Sequence, residues 1–239
     1  MEGEELKYLE DLRGKHTGEE IWVIGAGPSL DDYPLNFFED KICVGVNWVF
    51  SVFVDIGDGL EKFSTKTFYS VHSHAEHAYW IRDHIPHFLK RCFFISRPLS
   101  HKMYKGKPYC CPDDFNKDPY WIRNSYEVND VRASGAGFER MAKCIMAGRD
   151  DCRYLCRGTS LHWAIDVAAV LGAKKIYLVG ADVFGPYMRK HGSLYLKPRK
   201  KKPHLRRPWI GGTKCLAQVF KPYGIEIVYY NYGKGERIP

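Results

Sequence analysis

Gly25-Ala26-Gly27-Pro28-Ser29, Asn47, Gly158-Thr159-Ser160 and Asp182 are the positions whose residue types and spacing point to ligand chemistry. The first string leaves an apolar run, Ile21–Ile24, with two glycines, a rigid proline and a hydroxyl. Glycines let backbone N–H groups approach an anion closely, and a turn after a strand aims them at a phosphate. The string lacks the third glycine of a dinucleotide fingerprint and the Gly-Lys-Ser/Thr of a Walker loop. Two readings therefore stand: a phosphate-cradling loop, or a tight strand-to-helix connection with no ligand. Gly158-Thr159-Ser160 offers two hydroxyls and free N–H groups ahead of a helix, and a plain helix cap also accounts for it. Asn47 ends a second apolar run, either as a turn residue or as a reader of a base or ribose edge. Asp182 ends a third, where a carboxylate either takes a proton from a substrate or holds its own loop together.

A second chemistry lies in residues 183–209. Arg189, Lys190, Lys197, Arg199, Lys200, Lys201, Lys202, Arg206 and Arg207 fall here, with no acidic residue between Asp182 and Glu226. The whole chain carries +8, so these nine cations leave the remainder close to neutral. Tyr187, His191, Tyr195, His204 and Trp209 are interleaved with them. A solvated loop, a lid that neutralises the phosphates of a nucleotide, and a clamp on a polyanion such as DNA each fit such a run. Aromatic rings among cations also suit stacking on an unpaired or flipped base.

Positioning these groups falls to strands that alternate with helices. Apolar runs at 21–24, 42–48, 176–182 and 225–230 read as strands, with weaker ones at Thr67–Val71 and Cys92–Ser96. Leu161, Ile165, Ala168, Ala169 and Leu171 have the spacing of an amphipathic helix ending at Gly172, and Gly211-Gly212-Thr213 opens another through about Phe220. The pattern predicts one α/β domain over 1–239, a mostly parallel sheet with helices on both faces, and a lid-like basic insertion. Residues 100–135 show no sustained period and read as an irregular insertion. Ligands of such sheets sit beyond the carboxyl ends of the strands, which gathers all the loops above on one edge.

Other classes are disfavoured. No run approaches the roughly 18 apolar residues of a membrane span. The opening residues, MEGEELKYLEDLRGK, are acidic and polar, unlike a secretory signal. The eight scattered cysteines read as reduced, buried thiols of a cytoplasmic chain. His72, His74 and His77 flank Glu76, and Cys110-Cys111 and Cys152/Cys156 follow, but no CxxC pair accompanies them, so a surface loop is expected and no metal site. The absence of an Asp-x-Asp triplet favours metal-independent chemistry.

The motifs around residues 24–30, Asn47, 158–160 and 173–182, followed by an Ile-Gly-Gly helix, resemble the bacterial sialyltransferases of glycosyltransferase family 42. They also resemble the broader DUF115/MptE-like set, including small phage-type proteins. The resemblance covers roughly 20–50 and 155–232. It implies a Rossmann-like, glycosyltransferase-A-type sheet and a nucleotide-sugar donor, UDP- or CMP-linked, held by Gly25, Ala26, Gly27, Ser29, Asn47, Gly158, Thr159 and Ser160. In the family an asparagine stands at the position of Ala26, a tyrosine at that of Phe184, and a histidine at that of Gly212. Here Arg189, Lys190 and Tyr187 are expected to steady the departing phosphate, and Asp182, His191 or His204 to remove the acceptor's proton. The acceptor expected is a hydroxyl, with a hydroxylated pyrimidine in DNA, as in phage hypermodification, the candidate. Lys197, Arg199, Lys200, Lys201, Lys202, Arg206 and Arg207 would then hold the DNA. A pterin diphosphokinase-type phosphotransferase and a non-catalytic nucleic-acid-binding module are the alternatives.

Overall fold

The computed structural model describes residues 9–57, 59–72, 93–96, 103–104, 107–108, 121–123, 135–148, 159–182 and 206–239. Its strands are β1 (Glu20–Ile24), β2 (Ile42–Val46), β3 (Thr67–His72), β4 (Phe93–Ser96), β5 (Met103–Tyr104), β6 (Lys107–Pro108), β7 (Trp121–Arg123), β8 (Lys175–Val179), β9 (Glu226–Asn231) and β10 (Gly235–Arg237). The helices are α1 (Gly135–Ala147), α2 (Ser160–Val170) and α3 (Arg206–Phe220). Eight strands form one sheet in the order β10-β9-β8-β1-β2-β3-β4-β7, parallel throughout except for β10. The fold is α/β and Rossmann-like, as the alternation of runs predicts. All six expected strands form.

Central position explains why these runs are apolar throughout. Ile21, Val23, Ile24, Val44 and Val179 are fully buried, because strands covered on both faces cannot alternate with polar residues. Trp22 and Tyr177, paired in register, stack on one face at 4.2 Å between ring centroids. Phe37, Phe38 and Tyr230 meet Trp22 edge-on there. The 3-10 turn Asn47–Val52 packs on β2 and β3. The three α-helices of the described residues pack on one another, and α2 lies on β1, β2 and β3.

Three sequence expectations change. Helix α2 is not amphipathic: Leu161 through Val170 are all buried, because the sheet, α1, α3 and the Leu9–Leu12 turn enclose it on every side. Helix α3 begins at Arg206 and not at Gly211, with Pro208 in the first turn, where no N–H is needed. Gly212 therefore lies inside the helix, where a Cβ would run into the imidazole of His162. Finally, the stretch 100–135 contributes β5, β6 and β7, and β7 pairs with β4 at the edge of the main sheet. Strands of two or three residues are too short to show a period.

The thiols are mixed. Cys43 is free and buried, with burial raising its pKa to about 12. Cys144, by contrast, is disulfide-bonded, which corrects the expectation of reduced thiols throughout. No described helix is long and apolar enough to cross a membrane.

Residues 14–18 tie the end of α2 to the sheet. The N–H groups of Gly14, His16 and Gly18 donate to the carbonyls of Val170, Leu171 and Gly172, which a helix C-terminus leaves without intrahelical partners. His16 then reaches Tyr69 through Nε2 at 2.8 Å and Glu19 through Nδ1 at 3.3 Å. Burial holds its pKa below the ordinary 6.5, against the opposing pull of Glu19. The unfolded chain therefore takes up this proton first, and stability falls as the pH drops below about 6.5. We expect the melting temperature to fall more steeply between pH 7.5 and 5 in the native protein than in His16→Gln; equal slopes would refute this assignment.

Candidate functional site

The loops after β1 and β8 cross at the carboxyl edge of the sheet. The chain leaves β1 towards β2 on one side and leaves β8 towards β9 on the other, so this is the topological switch point where such sheets open a crevice. Here the two loops are laced together at the base. Gly25 N–H donates to the Val179 carbonyl at 2.8 Å, and Gly27 N–H donates to the Gly180 carbonyl at 2.7 Å. Gly180 adopts φ +58°, and a Cβ on it would strike the Gly25 carbonyl oxygen. A Cβ on Gly25 would lie 2.5 Å from the Gly180 oxygen, and one on Gly27 would overlap the Asp182 carboxylate.

Above this crossing, Asp182 accepts two hydrogen bonds on Oδ2, from Ser29 N–H at 2.9 Å and from Ser29 Oγ–H at 2.6 Å. The anion held by the Pro28 turn is thus the protein's own carboxylate. The tight-connection reading of this loop is satisfied by contacts within the protein. Gly25 and Gly27 are required by the closeness of the second loop, and the Ser29 donors are already engaged. Ala26 is half-buried against the core beside them.

On the other flank of β1, Asn47 follows β2 with φ +51°, a left-handed conformation uncommon outside glycine but tolerated best by asparagine and aspartate. Its Nδ2 donates to Ser160 Oγ at 2.9 Å, so two of the expected ligand groups meet directly. Thr159 caps α2 by accepting His162 N–H on its hydroxyl at 3.2 Å. The capping reading of Thr159 is satisfied, while Ser160 faces Asn47. Ser29, Asp182, Asn47, Thr159 and Ser160 are all half-buried, neither sealed in the core nor fully solvated.

The structure thus yields two polar pairs, Ser29–Asp182 and Asn47–Ser160, on the β8 and β2 sides of β1. Two interstrand spacings place their strands roughly 10 Å apart. One side presents a carboxylate, the other an amide, hydroxyls and the first N–H groups of α2, an end that favours negative charge. Gly158, Tyr187, Arg189, Lys190, His191 and His204 lie outside the described residues, as do His74 and His77. His72 is buried at the end of β3, with Nε2 2.6 Å from Ser70 Oγ. Among the described residues no group of three His, Cys, Asp or Glu side chains could hold a metal ion.

Sequence reasoning passed over His162 and Thr213. The His162 ring is buried against Gly212, 3.3 Å from Thr213 Oγ1 through Nε2 and edge-on to Phe138 at 6.3 Å. It joins the first turn of α2 to α3. A histidine interrupting an apolar helix was the available signal.

The crossing makes a stability prediction. Gly27→Ala forces the loops apart and should cost about 1–3 kcal/mol in urea unfolding. Ser29→Ala and Asp182→Ala should each destabilise and, combined, show clear non-additivity. Strict additivity would mean that the Ser29–Asp182 contact contributes nothing.

No protein-family model matches the chain, and no curated protein matches it. Among solved structures the chain is similar to the sialyltransferase CstII from Campylobacter jejuni, in complex with a substrate analogue, cytidine-5'-monophosphate. The two are 19% identical, with 89% of this chain and 80% of that chain covered at a TM-score of 0.41.

Proposed function

We propose that this protein is a glycosyltransferase-like enzyme that binds a nucleotide sugar, UDP- or CMP-linked, at the carboxyl edge of the sheet and transfers the sugar to a hydroxyl. The observation that carries the reading is the pair of half-buried polar contacts, Ser29–Asp182 and Asn47–Ser160, flanking the end of the central strand at the switch point. Rigid backbone supports both: the glycine crossing on one side, and the capped, buried helix α2 on the other. A nucleotide laid across β1 would meet a carboxylate at one end and amide and hydroxyl donors at the other.

Within this proposal, the donor's phosphates lie on the Asn47–Ser160 side, since the Ser29 donors are engaged by Asp182. Arg189, Lys190 and Tyr187 then steady the departing phosphate. Proton removal falls to His191 or His204, because one oxygen of Asp182 already anchors the Pro28 turn. No step requires a metal. A thermal-shift panel of UDP-, CMP-, GDP- and dTDP-linked sugars tests the seat. One member near 100 times its Kd should raise the melting temperature by about 5–10 °C. Asn47→Ala should diminish that rise. No response to any compound would remove the enzyme reading.

The acceptor we propose is a hydroxylated pyrimidine in DNA. Its support is the cation run, whose final members Arg206 and Arg207 form the start of α3. Each phosphate contact adds about 0.9 to the slope of log affinity against log salt. Replacing Lys200, Lys201 and Lys202 with glutamine should therefore lower the slope measured by gel shift by about 2–3. Binding that is absent or indifferent to salt would exclude DNA.

A further inference from the structure

Among the described residues, only one oxygen of the Asp182 carboxylate is engaged. A carboxylate oxygen carries two lone-pair sites. Both on Oδ2 are filled, one by Ser29 N–H and one by Ser29 Oγ–H. Oδ1 receives no hydrogen bond from any described residue, and Asp182 is only half-buried. Glycine at 27 gives the carboxylate its room, since any side chain there would displace it. The group is therefore fixed in place by one oxygen and presents the other at the switch point.

The chemistry of the missing partner follows. A phosphate is excluded beside a carboxylate by like-charge repulsion. A metal ion is disfavoured, because among the described residues no group of three His, Cys, Asp or Glu side chains could hold one. Two neutral donors on adjacent atoms match two lone-pair sites on one oxygen, and a cis-diol supplies that pair. In doubly wound sheets an acidic group near the end of a strand serves a ribose in this way.

We propose that Asp182 is a specificity-determining residue that accepts hydrogen bonds from the ribose 2'- and 3'-hydroxyls of the bound nucleotide. The proposal rests on the nucleotide reading above and refines it. It sets the orientation of the ligand, with ribose on the β8 side of β1 and phosphate on the β2 side. It also predicts selection against nucleotides that lack the diol.

The experiment is calorimetric titration of the full chain with CMP, UMP, GMP and AMP and with their 2',3'-dideoxy counterparts. For whichever base binds, the ribonucleotide should bind roughly 10- to 100-fold more tightly than the dideoxy form, as expected for hydrogen bonds to a charged acceptor. In Asp182→Asn the ribonucleotide should weaken towards the dideoxy value, while the dideoxy affinity stays unchanged. A purely structural role would lower both equally and so overturns the proposal. Equal binding of the two forms by the native protein overturns it without any variant, and leaves the nucleotide reading intact. Binding of none of the eight compounds removes both together.

Discussion

The crossing of two backbones at the end of β1 and β8 governs the geometry of this molecule's sheet edge. Hydrogen bonds from Gly25 and Gly27 to Val179 and Gly180 hold the loops closer than side chains allow, so glycine is required at 25, 27 and 180. Where the loops separate, Asp182 and Ser29 close the remaining gap with charge-assisted hydrogen bonds, which are shorter and stronger than neutral ones. Everything offered at the carboxyl edge is positioned relative to that knot. Such an arrangement trades openness for rigidity, since the floor of this edge is fixed by backbone contacts.

Helix α2 is the second rigid reference. It is enclosed on all sides, its C-terminal carbonyls are taken by residues 14–18, and its first turn is capped by Thr159. Ser160 therefore meets Asn47 from a helix with little freedom to shift. The left-handed backbone of Asn47 turns the chain sharply from β2 into the following 3-10 turn. His162 links this turn of α2 to α3, and α3 starts at the end of the cation run. The His162–Thr213 contact thus joins α3 to the carboxyl edge of the sheet.

Much of this was legible in the sequence, for identifiable reasons. Six strands announce themselves because a parallel sheet covered on both faces needs unbroken apolar runs. Ser29, Asn47 and Asp182 stand out because polar side chains at the ends of such runs must lie at the edge, and Ser160 because it opens a helix. What the sequence could not convey was which partner each would choose. Gly25 and Gly27 look alike in sequence whether or not a second loop approaches them, and the structure brings the 180–182 loop against both. The burial of α2 was hidden because a helix enclosed by protein and one with a single apolar face share the spacing of Leu161 and Ile165. Gly212 read as a helix start, since nothing local reveals that His162, 50 residues earlier, needs its space.

The sheet order carries a consequence for how the molecule is made. Strand β1 is flanked by β2, which follows closely in the chain, and by β8, with Glu20 opposite Lys175 and about 150 residues intervening. Pairing across so long a loop is slow to nucleate, because closure entropy precedes the reward of contact. A ribosome that has released only the first two thirds of the chain holds β1 with one edge unpartnered and Asp182 not yet synthesised. The knot at the heart of the site is therefore among the last features to be completed, and premature termination leaves an exposed parallel edge open to association with other chains.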